Sequence, residues 1–335
     1  MAPIARETPP PGPRSGRSDL GGRMTPSQPI PPVPPTPQTP PHGAFMTPLI
    51  EARNLSLHYG RKAALQDVSF TVPAGRVVGL LGHNGAGKTS LMKALVGTKA
   101  VKGDLTVLGL NPHAHRAELL QSLCYIPDVA VLPRWARAGD LITLMAGLQP
   151  KFSADRARAL LRRTSVTERD KVKHLSKGMV TQLHLALVAA IDARLMVLDE
   201  PTLGLDVMSR KSFYEMLIDE WCDGERSVII STHQVEEVET LLSDVIMLDE
   251  GRMVLNISLA EIDERFVALS HDPEAAAAVA AGHPLLRYRV QGRPAALFDG
   301  PPPDDISHLG QRLRPNLVDL FMALTRKPEI QAREA

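Results

Sequence analysis

The sequence predicts an α/β fold with a parallel core sheet and an antiparallel flank. Three observations lead there. "VVGLLG" (77–82) and "LMVLD" (195–199) are continuous apolar runs, as strands buried on both faces are. "LIEARNLSLHY" (49–59) and "LQDVSFTVPAG" (65–75) alternate apolar and polar residues, as half-buried antiparallel strands do. Helical stretches such as "TSLMKALVG" and "ADRARALLRRT" lie between the runs, so strand and helix alternate along the chain.

Taken in order, residues 1–48 read as a disordered proline-rich tail. Fifteen of the 29 prolines fall there, and "PIPPVPPTPQTPP" suits neither a helix nor a central strand. Met46 is a second candidate start. The α/β core runs over 49–256. Residues 257–335 read as a small α+β appendix. "EAAAAVAAG" favours a short helix, "LLRYRVQG" and "AALFDG" favour strands, and "NLVDLFMALTR" favours a closing helix.

Composition narrows the function. A net charge of +1 gives no global argument for nucleic acid or an anionic membrane. Aromatic residues make up 4%, too few for a single-strand binder built on stacking platforms. Cys124 and Cys222 are far apart and form neither a disulfide framework nor a metal knuckle. No apolar run reaches eighteen residues, so no membrane span is expected, and the N-terminus lacks a signal-peptide core. His113 and His115 have no acidic or cysteine partner at metal-site spacing and read as a solvated loop. The basic run "RARALLRR" reads as a solvated helix face.

The chemistry concentrates in two places. "GHNGAGKTS" (82–90) follows an apolar strand, opens a helix and fits the phosphate-loop pattern G-x-x-x-x-G-K-[ST]. Gly82, Gly85 and Gly87 permit the backbone angles that turn successive N–H groups inward, while His83, Asn84, Ala86 and Ser90 complete the cradle. The helix start adds its positive end. Lys88 is placed to reach the β- and γ-phosphates, and the Thr89 hydroxyl to hold Mg²⁺. The second place is the carboxyl end of "RLMVLDE". Asp199 is the candidate Mg²⁺ ligand and Glu200 the candidate base for an attacking water.

With these and three further motifs, the chain resembles the ATP-binding cassette (ABC) family over residues 49–256. "LSKGM" (175–179) is similar to its signature sequence, "LGLD" to its dimer-contact loop ending at Asp206, and "STHQVEE" to the segment carrying its switch histidine, His233. Tyr59 stands where the family places an aromatic against adenine. The resemblance implies a P-loop NTPase cassette with a helical signature subdomain. It also implies ATP and Mg²⁺ as cofactors and two cassettes paired head to tail. Ser176 and Gly178 would then face the γ-phosphate held by the other cassette. Three positions depart from the family pattern. Lys177 and Met179 replace glycine and glutamine in the signature, and Asp128 replaces a glutamine that touches Mg²⁺ and the attacking water, so Asp128 stands with Thr89 and Asp199 as a candidate Mg²⁺ ligand.

The resemblance implies the energy-coupling ATPase of a multi-subunit membrane transporter, similar to the YtrB-like branch of type-two bacterial exporters. The expected partners are separate transmembrane permease subunits and a second cassette, with no nucleic acid. The expected location is the cytoplasmic side of the plasma membrane, as a peripheral subunit. A soluble cassette ATPase acting on a ribosome, DNA or protein machine is one alternative. Against it, there is one phosphate loop and no inserted heptad coiled coil. An ATP-binding regulatory cassette is the other, and Asp128 leaves it open.

Overall fold

The computed structural model describes residues 48–128 and 132–325. The tail expected over 1–48 therefore lies outside them, apart from Pro48. The described residues form three sheets.

The alternating segments form the flank. β1 (Ile50–Tyr59) and β2 (Lys62–Val72) pair as an antiparallel hairpin, and β4 (Lys102–Val107) joins the other edge of β1. Their apolar positions point inward onto α1 (Lys88–Leu95), where Leu91, Met92 and Leu95 are fully buried. The continuous apolar runs become the central sheet. β3 (Val77–Leu81), β5 (Leu123–Ile126), β6 (Leu195–Asp199), β7 (Ser227–Ser231) and β8 (Asp244–Asp249) lie parallel. β9 (Arg252–Ser258) closes one edge antiparallel, in the order β5-β6-β7-β3-β8-β9. It runs two residues past the division at 256 read from the sequence.

α1 and the flank cover one face of this sheet. α6 (Val207–Trp221) covers the other through Phe213, Leu217 and Trp221, all at most 1% exposed. Truncating any of the three would cost about 2–5 kcal/mol through lost transfer energy and the cavity left behind. Between β5 and β6 the chain builds the helical subdomain from α3 (Ala138–Leu148), α4 (Ala154–Leu161) and α5 (Lys177–Ala189), after the single turn α2 (Arg116–Leu119). It has its own core, centred on Leu141, Ile142, Leu161, Leu183 and Leu187.

After α7 (Val235–Val238) and the last strands of the central sheet, α8 (Leu259–Arg265) leads into the appendix. This is a four-stranded antiparallel sheet in the order β11-β12-β10-β13. Its strands are β10 (Phe266–His271), β11 (Leu286–Val290), β12 (Arg293–Asp299) and β13 (Gly310–Leu313). α9 (Ala276–Ala281) and α10 (Asp304–Ser307) pack on one face, with Val279 and Ile306 beside Leu269 and Phe298. α11 (Leu317–Thr325) packs on the other, and its Leu317 and Leu320 join the core that holds Val238 of α7. The expected helix at 274–282, the two strands and the closing helix are all present. β10 and β13 were not read from the sequence.

The fold's service to the site is register. In parallel strands the carboxyl ends line up on one edge. Asp199 pairs with Ser231 across β6 and β7, and Leu80 of β3 pairs with Ser231 from the other side. The glycine loop, which leaves β3, thus begins one strand away from the acidic end of β6, with β7 between them.

Candidate functional site

The loop 82–87 must turn from β3 into α1 within six residues. Gly85 and Gly87 adopt φ of 89° and 110°, which side-chain-bearing residues rarely reach. A Cβ on Gly87 would lie 2.6 Å from the Ala64 carbonyl oxygen, so both angle and space require glycine there. Gly87 is also the N-cap of α1, with no side-chain cap, so the first-turn N–H groups are left for an anion. Ala86 packs fully buried under the loop, and His83 is held by Asp249 of β8 at 2.8 Å.

Lys88 is buried at 7% exposure. Its ammonium donates to the Gly82 carbonyl at 2.7 Å and lies 3.6 Å from Glu200 Oε1. Below it, Asp199 is fully buried. Its Oδ1 accepts from Ser231 Oγ at 2.8 Å and from Thr89 Oγ1 at 3.2 Å. Among the described residues its Oδ2 is buried with no hydrogen-bond partner. Burial pushes the Asp199 carboxyl above its ordinary range, aided by the negative charges of Asp128 and Glu200 and opposed by the Ser231 and Thr89 bonds. Tyr125 of β5 is pushed up by burial and by the same Asp199 and Asp128 carboxylates.

Glu200 follows at φ 46°, a left-handed angle that costs a non-glycine residue roughly 1–3 kcal/mol. Three contacts hold it there. Its N–H donates to Ser231 Oγ at 2.9 Å, its Oε2 meets His233 Nδ1 at 2.8 Å, and its Oε1 faces Lys88. The strained backbone aims the carboxylate into the cleft.

The cleft holds about 460 Å³. Tyr59, His83, Asn84, Gly85, Gly87, Lys88, Thr89, Ser90, Asp128, Glu200 and His233 line it, so most of the residues expected from the sequence converge. Gly82 and Ala86 shape the loop behind them, and Asp199 sits beneath. The Tyr59 ring is 41% exposed, with the Lys99 ammonium 5.5 Å from its centroid. Sequence reading missed Lys62, Ala64 and Leu203 on the walls, and Ser231 below. Ser231 had one signal, its place at the end of the apolar run "SVIIS", but nothing in the sequence says that β7 lies beside β6.

Ser176, Gly178 and Asp206 do not line this cleft. They gather around Ser209 instead. Ser176 Oγ caps α5 by accepting from Met179 N–H at 3.2 Å. Asp206 caps α6 by accepting from Ser209 N–H at 3.0 Å and from its hydroxyl at 2.7 Å. A Cβ on Gly178 would meet Ser209 Oγ at 2.6 Å. The Lys177 ammonium would stand 2.6 Å from a Cβ on Gly204, so it rests on the loop that leads from Glu200 to Asp206.

Comparison with known proteins agrees with this geometry. The family described as ABC transporter matches residues 65–203. The ABC transporter ATP-binding protein YtrB of Bacillus subtilis is 29% identical over 66% of this chain and 76% of its own length. The Nod factor export ATP-binding protein I of Burkholderia lata is 34% identical over 61% of this chain and 69% of that protein. A solved ATP-binding subunit of an ABC transporter superposes with a TM-score of 0.59 at 27% identity, covering 64% of this chain and 91% of that one. A bacterial Atm1-family ABC exporter gives 0.55 at 21% identity, a likeness of fold. A glycine loop opening a helix, a buried aspartate and a carboxylate aimed between lysine and histidine, on this fold and with these relatives, place the chain in the ABC transporter ATP-binding family, whose members are ATPases.

Proposed function

We propose that this chain is the energy-coupling subunit of a multi-subunit exporter, that it hydrolyses Mg·ATP, and that each ATP site is completed by a second cassette. One observation supports the hydrolytic part best. The Glu200 carboxylate stands between Lys88 and His233 at the mouth of the phosphate cradle. The residues present also fit a divalent cation. Among the described residues Asp199 Oδ2 is a buried oxygen without a hydrogen-bond partner, and Thr89 Oγ1 is beside the same carboxylate. The described residues hold no cluster of three or more His, Cys, Asp or Glu suited to a metal. That suits Mg²⁺, which takes few protein ligands and completes its shell with phosphates and water. Thr89, Asp199 and Asp128, which lines the same cleft, would hold the ion. When bound, Mg²⁺ supplies neutralising charge at the phosphate oxygens.

The chain's own residues do the rest. Lys88 turns from the Gly82 carbonyl to the β- and γ-phosphates. Glu200 accepts the proton of the attacking water, and His233 fixes the carboxylate's orientation and contacts the γ-phosphate. Tyr59 stacks on the adenine. Ser176, Gly178 and Asp206, remote from the chain's own cleft, serve a partner's γ-phosphate and the dimer contact. We divide the chain accordingly into a tail (1–48), a cassette (49–256) and an appendix (257–335).

No helix among the described residues is long and apolar enough to cross a membrane. Separate permease subunits would therefore carry the cargo, with this chain peripheral on the cytoplasmic side. The Nod factor export relatives favour outward transport. The decisive test is Glu200→Gln. Shape and ATP binding should persist while turnover falls by roughly 10²–10⁴, the usual worth of a positioned base, and an ATP-bound dimer should accumulate. Wild-type turnover in that variant would show that Glu200 is not the base.

A further inference from the structure

The appendix holds a second cavity, of about 1030 Å³, more than twice the 460 Å³ of the cleft at the phosphate loop. No residue lines both. Its walls come from α9, the end of β10, and the strands β11 and β12. The strand period decides which side chains of β11 reach it. Leu286 and Tyr288 pack into the core that holds α11. Arg287 and Arg289 therefore stand on the opposite face, the one that carries α9. Register agrees, since Arg287 pairs with Ala296, and Ala296 packs with Val279 of α9.

Four basic side chains line this cavity: His271, His283, Arg287 and Arg289. Among the described residues no Asp or Glu lines it, although Asp272 and Glu274 follow His271 closely in sequence. Arg289 donates to the Gly292 carbonyl at 3.0 Å, and neither arginine has a carboxylate partner among the described residues. His283 lies just past the end of α9 at φ 53°, a left-handed position that glycine usually takes after a helix. Backbone strain is thus accepted where an imidazole joins the cavity wall. His271 is buried at 6% exposure, and its Nδ1–H donates to the Asp272 carbonyl at 2.8 Å. That bond fixes the tautomer and leaves Nε2 for a ligand. α9 contributes Ala276 and Ala280, whose small side chains leave room beside the arginines.

We propose that this cavity binds a small organic dianion with an apolar body. Two guanidinium forks on one face of a strand, about 7 Å apart, suit two anionic groups, each fork matching one carboxylate or phosphate. The alanines, with Pro284 and Pro294, give the body its apolar seat. His271 Nε2 accepts from an O–H of the ligand, or takes a proton and donates. A large apolar cavity with a few convergent polar groups is the usual form of a small-molecule site. The competing occupant is an acidic peptide strand, because β11 is an edge of its sheet. Such a strand would pair along the backbone edge, whereas the four basic groups gather in the cavity beside α9.

The test uses the full chain saturated with Mg²⁺ and a non-hydrolysable ATP analogue, so that the phosphate loop is occupied. Naphthalene-2,6-dicarboxylate is then titrated by calorimetry, and one molecule per chain should bind. Arg287→Ser/Arg289→Ser should weaken binding about tenfold or more, since two charged hydrogen-bonding partners are lost. Ala280→Leu, which narrows the cavity and leaves every charge in place, should weaken it as well. 2-Naphthoate, with the same body and one carboxylate, should bind about tenfold more weakly. Melting temperature and basal ATP turnover of the arginine variant should match wild type, because both side chains are exposed and remote from the phosphate loop. Three results would overturn the proposal: no saturable binding of the dicarboxylate to the wild-type chain, undiminished binding to the arginine variant, or equal affinity for 2-naphthoate. A glutamate-rich peptide bound through the same arginines, with the dicarboxylate not bound, would overturn it too and give this edge to a protein strand.

Discussion

Gly178 separates packing within the chain from function between chains. In Gly178→Ala the new Cβ would meet Ser209 Oγ at 2.6 Å and Ser209 Cβ at 3.1 Å. The hydroxyl can rotate away only by leaving Asp206 Oδ2, a bond worth about 1 kcal/mol. The Cβ contact cannot be relieved by rotation, and mild overpacking adds about 1 kcal/mol. Against these, alanine in the first turn of α5 gains up to about 1 kcal/mol over glycine. The isolated chain should therefore lose about 1 kcal/mol, roughly 2–4 °C in a domain of this size. Ser209→Gly removes both clashing atoms and keeps the backbone N–H bond to Asp206 Oδ1. The double variant Gly178→Ala/Ser209→Gly should recover most of the loss in denaturant unfolding. ATP-dependent dimerisation, measured by light scattering in a Glu200→Gln background, should stay impaired. Under the proposed trans site the methyl would stand against the partner's nucleotide, which Ser209→Gly does not touch. Dimerisation restored in step with stability would show that Gly178 serves only its own chain. A Gly178→Ala chain more stable than wild type would show that the contact with Ser209 is not a constraint.

Three further outcomes are expected. Lys88→Ala should abolish turnover and weaken ATP binding in fluorescence titration, because it removes the cation between the loop carbonyls and Glu200; unchanged turnover would end the phosphate-loop reading. Ser231→Ala strips a donor from buried Asp199 and the acceptor from the Glu200 N–H, so about 1–3 kcal/mol should be lost in chemical denaturation; a loss near zero would show that neither bond matters to the fold. Burial pushes His184 of α5 down to about 4 from 6.5, and among the described residues its buried Nδ1 has no hydrogen-bond partner. Between those values the unfolded chain binds the proton and the folded chain does not, so stability should fall as pH drops from 6.5 to 4 and level below. The full effect is at most about 3 kcal/mol, and His184→Leu should remove that slope from pH-dependent melting curves.

The site was legible where chemistry is contiguous in sequence. Residues 82–90 carry their own geometry, since glycines at fixed offsets before a lysine dictate the loop whatever surrounds it. Asp199 and Glu200 were legible because an apolar run ends on them. Illegible parts depend on strand order. Ser231 lies under Asp199 because β7 neighbours β6, and Asp249 reaches His83 because β8 neighbours β3. Those partners are tens to more than 160 residues away in sequence, and no local pattern links them. In the appendix, the closing helix showed its periodicity. β13, "GQRL", is polar and short, and its pairing with β10 supplies what its composition does not. The seat of Gly178 on Ser209 was equally hidden, because no local pattern links the signature turn to the start of α6.

The position of the signature turn also bears on how two sites can act together. Lys177, which replaces a family glycine, rests on Gly204, and Gly178 rests on Ser209. Both contacts fall on the segment that leaves Glu200 and enters α6. That segment is short and anchored at each end, by the Ser231 bond to Glu200 N–H and by the Asp206 cap. Under the trans reading, a partner's γ-phosphate would sit against Ser176 and Gly178 and attract the Lys177 ammonium. A shift of that ammonium toward the phosphate would be a shift away from Gly204, four residues from the proposed base, Glu200. A cassette with glycine at this position lacks the ammonium and so lacks this contact. Occupancy of one site would then bear on the other through a side chain of this sequence, in addition to the dimer contact itself.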